Sequence, residues 1–494
     1  MNLLLLLDMA AAGRGDEVAV QAADERLTAG ELLAAAWSGA EVVAGASALA
    51  YVGANGLAFP IGLFAAAAAG VPFVPLNYRL GDDQLHDLLV PLGDVVVVAE
   101  GKAADALDER GHRVVDAAGF VATARAGTAV GEVPADGEGP AVLLHTSGTT
   151  AAPKAAVLRH RHLTSYVIGS VEFGGSGPDD AVLVSVPAYH VAGLANLLSN
   201  LYLGRRIVYL AQFDAAGWVD AVRREGITHA MVVPTMLARI CDALDGTGLP
   251  SLRALSYGGA RTPATVLEKV MALLPDVDLT NAYGLTETSS TIAVLGPDDH
   301  RAARDGDPVA TARLSSAGRV LPTVEVQVRG ADEGALPPGE PGEVWVRGEQ
   351  VSGEYVGTTA PLDADGWFPT RDRGWVDPDG YLFIEGRSDD TIIRGGENIA
   401  PAEIEEVLLQ HPDIDQCAVV GVPDDEWGQR IAAVVVLRPG GVLVAEAVRD
   451  FARQSLRSSK TPEVVAFTAE LPYTETGKLL RRVVQAELAG GTVM

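Results

Sequence analysis

Hydrophobic positions along the chain fall into short β-branched runs that alternate with stretches of helical spacing. The runs are typical of buried strands because they are continuous, short and bounded by turn residues. Between two of them, AAGWVDAVRREG (215–226) and TMLARICDALDG (235–246) carry apolar residues at helical spacing and end in glycine. This alternation predicts an α/β architecture with largely parallel sheets. The predicted strands are SALAYVG (47–53), DVVVVAE (94–100), AVLLHT (141–146), AVLVSV (181–186), RRIVYL (205–210), HAMVVP (229–234) and LRALSYGG (252–259).

The pattern changes after about residue 320, where apolar and polar residues alternate strictly. Pro/Gly turns separate TVEVQVRG (323–330), GEVWVRG (342–348) and YLFIEGR (381–387), which indicates a β-rich subdomain over about 320–388. From residue 389 onward, helical and strand patterns alternate again within a compact stretch. We therefore predict a large N-terminal domain, 1–388, and a small α/β C-terminal domain, 389–494.

Two apolar segments resemble membrane elements in length or composition only. MNLLLLLDMAAAG (1–13) has no basic start and is cut short by Asp8, so it predicts an amphipathic first helix rather than a secretory signal. The second segment, 56–76, is alanine-rich and interrupted by prolines, which favours a buried helix followed by a turn. We expect no membrane insertion.

The net charge limits the kinds of binding partner, and the cysteine content indicates the cellular compartment. The chain has 37 basic and 65 acidic residues, a formal net charge of −28, and no Lys/Arg-rich tract. Nucleic acid and anionic membranes are therefore not expected partners. Only Cys241 and Cys417 occur, far apart and without metal-ligand spacing, which indicates a cytoplasmic location with neither a disulfide framework nor a zinc site.

One hydroxyl-rich stretch, HTSGTTAAPKAAV (145–157), has the residue types that bind polyphosphate. It is not a P-loop of the G-x-x-x-x-G-K-[ST] type, because Pro153 replaces the second glycine and Ala155 the metal-binding hydroxyl. Proline also lacks the N–H that such a loop directs at phosphate. The candidate phosphate ligands are Thr146, Ser147, Gly148, Thr149, Thr150 and Lys154.

Three further motifs follow that stretch: NAYGLTET (281–288), the segment GWFPTRDRG…IAPAEIE (366–405), and LPYTETGKLLRR (471–482). Together with the first stretch they resemble the adenylate-forming superfamily of acyl-CoA synthetases, aryl-CoA ligases, luciferases and peptide-synthetase adenylation domains. The resemblance covers nearly the whole chain, and the motifs stand in the order that the family has. It implies a large domain of two α/β sheets plus a β-barrel, followed by a small mobile α/β domain.

The resemblance also implies roles for individual residues in activating a carboxylic acid with ATP. The hydroxyls and Lys154 would hold the β- and γ-phosphates, and Glu287 would bind Mg²⁺, a cation that prefers carboxylate and phosphate oxygens. Asp372 and Arg387 would bind the ribose, and Lys478 would bridge the attacking carboxylate and the α-phosphate. The remaining nucleotide contacts would come from Thr286 at the α-phosphate and from Tyr283, with Gly284, at adenine.

For the second half-reaction, the resemblance implies that the small domain rotates about Asp389 and that CoA then receives the acyl group. A pantetheine tunnel would be lined by Arg394, Gly395, Gly396 and Glu397. His190, in PAYHVAG (187–193), could gate the acyl pocket or assist the thiol, although a histidine of the hydrophobic core is the competing interpretation. The cofactors and co-substrates implied are ATP, Mg²⁺ and CoA.

Several positions depart from the family pattern. Ala151 and Ala155 stand where glycines are common, and alanine is costly there only if the native φ is positive. Arg371 stands where the family reads T-G-D, and His145 stands where an aromatic residue is common. We expect somewhat weaker or slower ATP binding, not its loss.

The residues expected around the acyl group are mostly small or apolar, which indicates a hydrophobic and bulky or cyclic acid. They are Tyr189, Gly193, Leu194, Gly258, Gly259, Ala260 and Thr288. Arg261 would suit a second carboxylate, as in a malonate-type ligase, but a surface arginine is the competing interpretation.

The predicted function is therefore an AMP-forming acyl-CoA synthetase. A ligase that loads a carrier protein and a malonate-type CoA ligase remain alternatives, and a luciferase-like oxygenase is a more distant one. An amino-acid-activating domain is disfavoured because no aspartate near PAYHVAGL (187–194) would pair an α-ammonium group. A non-catalytic relative would not need Lys478, Glu287 and Asp372 together.

Overall fold

The structure is a computed structural model that describes residues 1–146, 154–244, 246–358, 361–394, 397–424, 427–474 and 478–489. Helices and strands alternate through the first two thirds of the chain, as the hydrophobic pattern predicts. The helices are α1 (Leu4–Arg14), α2 (Ala29–Val43), α3 (Ala58–Ala69), α4 (Asp82–Leu89), α5 (Gly101–Glu109), α6 (Ala117–Ala126), α7 (His160–Ser170), α8 (Val191–Leu203), α9 (Ala215–Glu225), α10 (Pro234–Ala243), α11 (Ala264–Leu273), α12 (Pro297–Arg304), α13 (Pro308–Arg313), α14 (Pro401–Leu408), α15 (Ala445–Ser455) and α16 (Arg481–Ala489).

The strands include all seven β-branched runs predicted above, at or within a few residues of the expected positions. They are β1 (Val18–Ala22), β2 (Glu25–Thr28), β3 (Ala48–Val52), β4 (Phe73–Pro75), β5 (Val95–Ala99), β6 (Arg113–Asp116), β7 (Pro140–Thr146), β8 (Lys154–Arg159), β9 (Ala181–Val184), β10 (Arg206–Tyr209), β11 (His229–Val232), β12 (Ala254–Gly258), β13 (Asp278–Leu285), β14 (Ser290–Leu295), β15 (Gly318–Val320), β16 (Glu325–Arg329), β17 (Gly342–Arg347), β18 (Phe368–Val376), β19 (Tyr381–Arg387), β20 (Ile392–Arg394), β21 (Glu397–Ile399), β22 (Ile414–Asp424), β23 (Gly428–Leu437) and β24 (Val464–Phe467).

Two large sheets form the body of the molecule. The first has the order β6-β5-β3-β4-β7-β8 and is parallel except for its last pair, β7 and β8. The second begins β2-β1-β10-β9-β11-β12-β13 and is parallel from β1 to β13. Strands fully covered on both faces explain the continuous apolar runs, because neither face meets water.

The β-rich stretch continues the second sheet as an antiparallel extension. From β13 the order runs β14-β15-β19-β18-β17-β16, and every one of these pairs is antiparallel. The strict alternation along these strands matches one covered and one open face.

The two apolar segments near the N-terminus are part of the hydrophobic core. Leu4, Leu6 and Leu7 of α1 are fully buried, and α3 is buried along most of its length. Within the described parts of the chain, no helix is both long enough and apolar enough to cross a membrane.

The C-terminal part has a hydrophobic core of its own. Its three-stranded sheet, β22-β23-β24, is covered by α14, α15 and α16, and the hairpin of β20 and β21 packs beside it. Both hydrophobic clusters of this part consist solely of residues numbered 392 or higher. The prediction of α/β sheets followed by a small α/β unit therefore matches the structure.

A β-bulge in β18 lies next to the predicted ribose-binding aspartate. Glu343 pairs with Arg373 and Trp345 with Pro369, so β18 has two extra residues opposite β17 at this point. The Thr370 hydroxyl closes the bulge by donating to Val344 O (2.7 Å) and accepting from the backbone N–H of Asp372 (3.1 Å). The extra residues turn the Asp372 carboxylate away from the regular ladder.

Arg371 occupies the centre of this bulge with an exposed side chain and a φ of +59°. Glycine adopts this left-handed conformation without cost, whereas a residue with a Cβ atom is strained there. The T-G-D pattern of the family thus has a conformational reason, and this chain keeps the conformation without the glycine.

Replacing Arg371 with glycine should therefore raise the free energy of unfolding by about 1 kcal/mol, because it removes the Cβ clash at positive φ. Differential scanning calorimetry of the purified protein measures this as a higher thermal midpoint. The matched control is Arg371→Ala, which removes the guanidinium but keeps the Cβ atom and should show no such gain. A glycine variant that unfolds at a lower temperature than the alanine variant would contradict the strain argument.

Candidate active site

Most of the candidate residues of the large domain lie at the carboxyl ends of neighbouring parallel strands. The segment 187–194 follows β9, the turn 258–263 follows β12, and residues 283–288 end β13. Loops at this edge of a parallel sheet meet in one crevice, which is where open α/β sheets bind ligands. Sheet topology thus brings motifs separated by about a hundred residues to one place.

The hydroxyl-rich stretch is described only at its two ends. Ser147, Gly148, Thr149, Thr150 and Ala151 lie outside the described residues, while β7 ends at Thr146 and β8 begins at Lys154. Ala155 is an ordinary strand residue that pairs with His145, and it is not among the described non-glycine residues with positive φ. Alanine at position 155 therefore brings no backbone strain.

The Asp372 carboxylate is buried and bound from two sides. The Tyr283 hydroxyl donates to Oδ2 at 2.5 Å, and Nη1 of Arg387 donates to Oδ1 at 3.2 Å. Burial raises the pKa of Asp372 above its ordinary value, while the Arg387 guanidinium and the Tyr283 hydroxyl oppose that shift. Burial also raises the pKa of Tyr283, so this phenol stays a hydrogen-bond donor. The arrangement presents a fixed carboxylate, which suits a vicinal diol.

Glu287 lies in a tight turn with unusual backbone angles. It belongs to the short 3₁₀ helix Thr286–Thr288, and the next two residues, Ser289 and Ser290, have φ values of +55° and +115°. Such conformations in non-glycine residues are strained, and the neighbouring structure must hold them in place. The Tyr355 hydroxyl donates to Oε1 of Glu287 at 2.5 Å.

Thr288 is one of the residues that hold this turn. Its side chain is fully buried, and its hydroxyl accepts from Leu285 N (3.0 Å) and donates to Ser290 O (2.7 Å). Nε2 of Gln350 donates to the carbonyl of Thr288 at 3.0 Å. The predicted place of Thr288 in the acyl pocket stays a prediction, and the observed bonds give it a role in shaping the turn.

Lys478 of the small domain faces the same group of charged residues. Its pKa is lowered, chiefly by desolvation and then by the Arg387 guanidinium, although part of the side chain contacts solvent. The carboxylates of Asp390, Asp372 and Glu287 oppose the shift. The backbone N–H of Lys478 donates to Oγ1 of Thr474 at 2.9 Å, which fixes the main chain at this position. The ammonium group thus lies within electrostatic reach of the predicted ribose and metal ligands.

The segment that links the large sheet to the small domain is short. Asp389 lies exposed in the 3₁₀ turn Ser388–Asp390, between β19 of the large sheet and β20 of the small domain. Within the small domain, Arg394 forms an ion pair with Glu463, and Glu397 pairs with Arg457 at 2.5 Å. Gly395 and Gly396 lie outside the described residues.

Three of the predicted acyl-pocket residues, Tyr189, Gly193 and Leu194, lie at the start of α8 or directly before it. His190 caps this helix, and its ring lies 4.9 Å from that of buried Tyr189, which in turn has Tyr78 edge-on at 6.1 Å. Gly193 and Leu194 belong to the first turns of α8, and Leu194 is buried.

Two candidate glycines allow close backbone approach. A Cβ atom on Gly258 would lie 2.1 Å from Ala282 O, and one on Gly284 would lie 1.8 Å from Ser290 O. Larger residues at either position would separate β12, β13 and β14 just where the site begins. Gly259 and Ala260 follow directly in the turn after β12, Gly259 with a φ of +84°.

Arg261 does not stand free beside this pocket. Its guanidinium pairs with Glu406 of α14 at 2.5 Å, so it connects the large domain to the small one. The interpretation of Arg261 as the partner of a second substrate carboxylate gains no support from this geometry.

The residues that the structure describes could hold magnesium only as an ion that is bound together with ATP. Among the residues that the structure describes, no group of three or more histidine, cysteine or acidic side chains is placed to hold a metal. Mg²⁺ in nucleotide sites keeps several waters and uses one or two carboxylates plus phosphate oxygens. The single carboxylate of Glu287, whose turn contacts β8, suits that donor set.

Sequence reasoning missed Tyr355 and Gln350, which hold Glu287 and its turn. Tyr355 stands in SGEYVGT (352–358), and a tyrosine between two nearby glycines was the available signal. That signal is weak, because nothing in the local sequence indicates that this segment contacts residues 155 and 287.

The chain matches known families over most of its length. Residues 7–356 match the model of the AMP-binding enzyme family, and residues 403–478 match the AMP-binding enzyme C-terminal domain. An indoleacetate–CoA ligase from Aromatoleum aromaticum is 34% identical over 472 residues, which cover 92% of this chain and 90% of that protein. A fatty acid–acyl-carrier-protein ligase from Streptomyces coeruleorubidus is 33% identical over 459 residues, 90% of this chain and 87% of that protein.

Among solved structures, the chain is similar to the o-succinylbenzoate CoA synthetase of Bacillus subtilis in complex with ATP and magnesium ion. The TM-score is 0.84 at 27% identity, and the alignment covers 97% of this chain and 98% of that one. These matches confirm the predicted superfamily, the α/β fold class, the AMP-forming acid–thiol ligase reaction and the use of ATP, Mg²⁺ and CoA. The chain belongs to the AMP-binding enzyme family.

Proposed function

We propose that the chain converts an aromatic or other cyclic hydrophobic carboxylic acid to its CoA thioester through an acyl-adenylate. The observation that carries the proposal is the convergence of Lys478, from the small domain, with Asp372, Arg387 and Glu287 of the large domain. These are the residues whose types match ribose, phosphate and metal contacts, and they come from three separate motifs.

In the first half-reaction a carboxylate must approach the α-phosphate of ATP, so two anions have to meet. Lys478 supplies a mobile positive charge at the point of attack, and Arg387 adds a second one. Asp372, fixed by Tyr283, would bind the ribose and set the position of the α-phosphate. Magnesium bound with ATP would neutralise charge on the phosphates, with Glu287 as its protein ligand.

The proposed class of acid rests on the surroundings of α8 and on the relatives. Tyr78 and Tyr189 offer aromatic edges, and Leu194 and the small residues after β12 add apolar surface without a charge. Such a lining favours a ring over a short or doubly charged acid. The relative named as an indoleacetate–CoA ligase supports the same class.

For the second half-reaction we propose rotation of the small domain about the 388–390 turn. The turn is exposed, and the small domain keeps its own core, so rotation would not disturb either interior. Moving the domain would withdraw Lys478 and present another face to CoA. The domain boundary between residues 388 and 389 belongs to this proposal.

Product analysis by mass spectrometry tests the function directly. The enzyme is incubated with ATP, Mg²⁺ and single aryl, alicyclic, medium-chain, long-chain or dicarboxylic acids, each with CoA, with a carrier protein, or with neither acceptor. We expect acyl-CoA from an aryl or alicyclic acid at a kcat/KM about 10-fold or more above the other classes. Preference for a dicarboxylic acid, or thioester formed on the carrier protein alone, would contradict the proposal.

Lys478→Ala should slow adenylation by about 100- to 1000-fold, because the variant loses the charge that stabilises the attack on the α-phosphate. Thioester formation from supplied acyl-adenylate should stay within about twofold, because Lys478 is withdrawn in that step. Single-turnover assays measure both rates separately. Lys102→Ala, at an exposed position of α5, is the control. An equal loss in both steps would argue against domain rotation.

Asp389→Pro should give the reverse result. A proline fixes φ in the turn and restricts rotation, so thioester formation from supplied acyl-adenylate should fall by about 10-fold or more while adenylation changes little. Asp389→Ala keeps the turn free and serves as the matched control in the same single-turnover assays. If the proline variant transfers the acyl group at the wild-type rate, residue 389 is not where the domains rotate.

A further inference from the structure

The segment 350–356 links two parts of the site that the sequence places far apart. On one side, Ser352 N donates to Glu287 O at 2.8 Å, next to the metal-ligand turn. On the other side, Val157 N donates to Glu354 O and Val356 N to Ala155 O, both at 2.9 Å, which ties the segment to β8. β8 begins at Lys154 and contains the last four residues of the hydroxyl-rich stretch, 154–157. The segment is therefore attached to both the phosphate-binding stretch and the Glu287 turn.

The Tyr355 side chain repeats this link with its own two contacts. Its hydroxyl donates to Oε1 of Glu287 at 2.5 Å, and the Lys154 ammonium lies 5.9 Å from the centre of its ring. A hydroxyl bond fixes the rotation of the carboxylate, and an aromatic ring attracts a cation over its face. One side chain thus contacts two residues that are expected to bind different parts of MgATP.

The hydroxyl of Tyr355 has a single hydrogen, and it donates this hydrogen to Oε1 of Glu287. With Oε1 engaged by this donor, Oε2 is the oxygen through which Glu287 would bind a cation.

We propose that Tyr355 is a positioning residue that holds Glu287 and Lys154 in one fixed arrangement, so that the metal and the triphosphate are bound as a unit. The inference rests on the proposed role of Glu287 as the magnesium ligand. Tyr355 itself contacts neither the metal nor the reacting atoms. Partners of this kind commonly affect metal affinity by one to two orders of magnitude when they are lost.

The test is calorimetric titration of the full-length protein with ATP, once with Mg²⁺ and once with a chelator, in the absence of acid and CoA. Tyr355→Phe removes the hydroxyl but keeps the ring, so MgATP affinity should fall about 10-fold while metal-free ATP affinity stays within about twofold. Tyr355→Leu removes the ring as well and should weaken the binding of metal-free ATP too, because Lys154 loses its contact with the ring. Adenylation by Tyr355→Phe should require about 10-fold more Mg²⁺ for half-maximal rate.

A second tyrosine in the large sheet provides a matched control. The Tyr381 hydroxyl donates to Oδ1 of Asp299 at 2.8 Å, and the Arg313 and Arg319 guanidinium groups lie 4.0 and 4.8 Å from the centre of its ring. Tyr381→Phe therefore removes the same type of bond from the same type of surroundings at another place. Its affinities for ATP and MgATP should equal those of the wild type.

Two results would overturn the inference. Tyr355→Phe could bind MgATP as tightly as the wild type, or it could lose affinity equally with and without the metal. Binding is measured without acid or CoA. The titration therefore tests the role of Tyr355 even if the proposed acid or acceptor is wrong. A wild-type protein that does not bind MgATP at all would overturn both the inference and the proposed function.

Discussion

The buried carboxylate of Asp372 is the constraint on which the site depends. A carboxylate can stay ionised in such surroundings only if it is paired and hydrogen-bonded. Here Arg387 of the adjacent strand β19 and Tyr283 of the more distant strand β13 satisfy it. Both partners are predicted nucleotide ligands themselves. The bonds that hold Asp372 therefore also fix the positions of these two predicted nucleotide ligands. This arrangement requires the bulge in β18 and the close approach of β13 to β14.

Around Asp372, segments of the large domain are held to one another by contacts between residues that are far apart in the sequence. Gln350 and Thr288 close the strained turn that carries Glu287, and the 350–356 segment joins that turn to β8. The energetic cost of the positive φ values at Ser289 and Ser290 is borne by these bonds. Lys478 comes from the small domain, so under the proposed rotation it would leave while Asp372, Arg387 and Glu287 stay in place.

The sequence predicts the elements and motifs well because their signals are local. Buried parallel strands require continuous apolar runs, as in β5 and β9. The resemblance of the motifs to the adenylate-forming superfamily is what makes Asp372, Glu287 and Lys478 candidates. The bulge at Arg371 and the bond from Tyr355 to Glu287 depend on pairing between positions far apart in the chain. Local patterns of hydrophobicity carry no information about such pairing, so these features emerge only from the folded structure. The same holds for Arg261, whose partner is in the other domain.

The ion pair between Arg261 and Glu406 has a consequence for how easily the two domains could separate. The two side chains are 42% and 43% exposed. Exposed ion pairs contribute little to stability and are screened by salt. The two domains are thus joined across this edge by a contact that guides their approach without resisting their separation. Under the proposed rotation, this ion pair would therefore offer little resistance when the small domain turns.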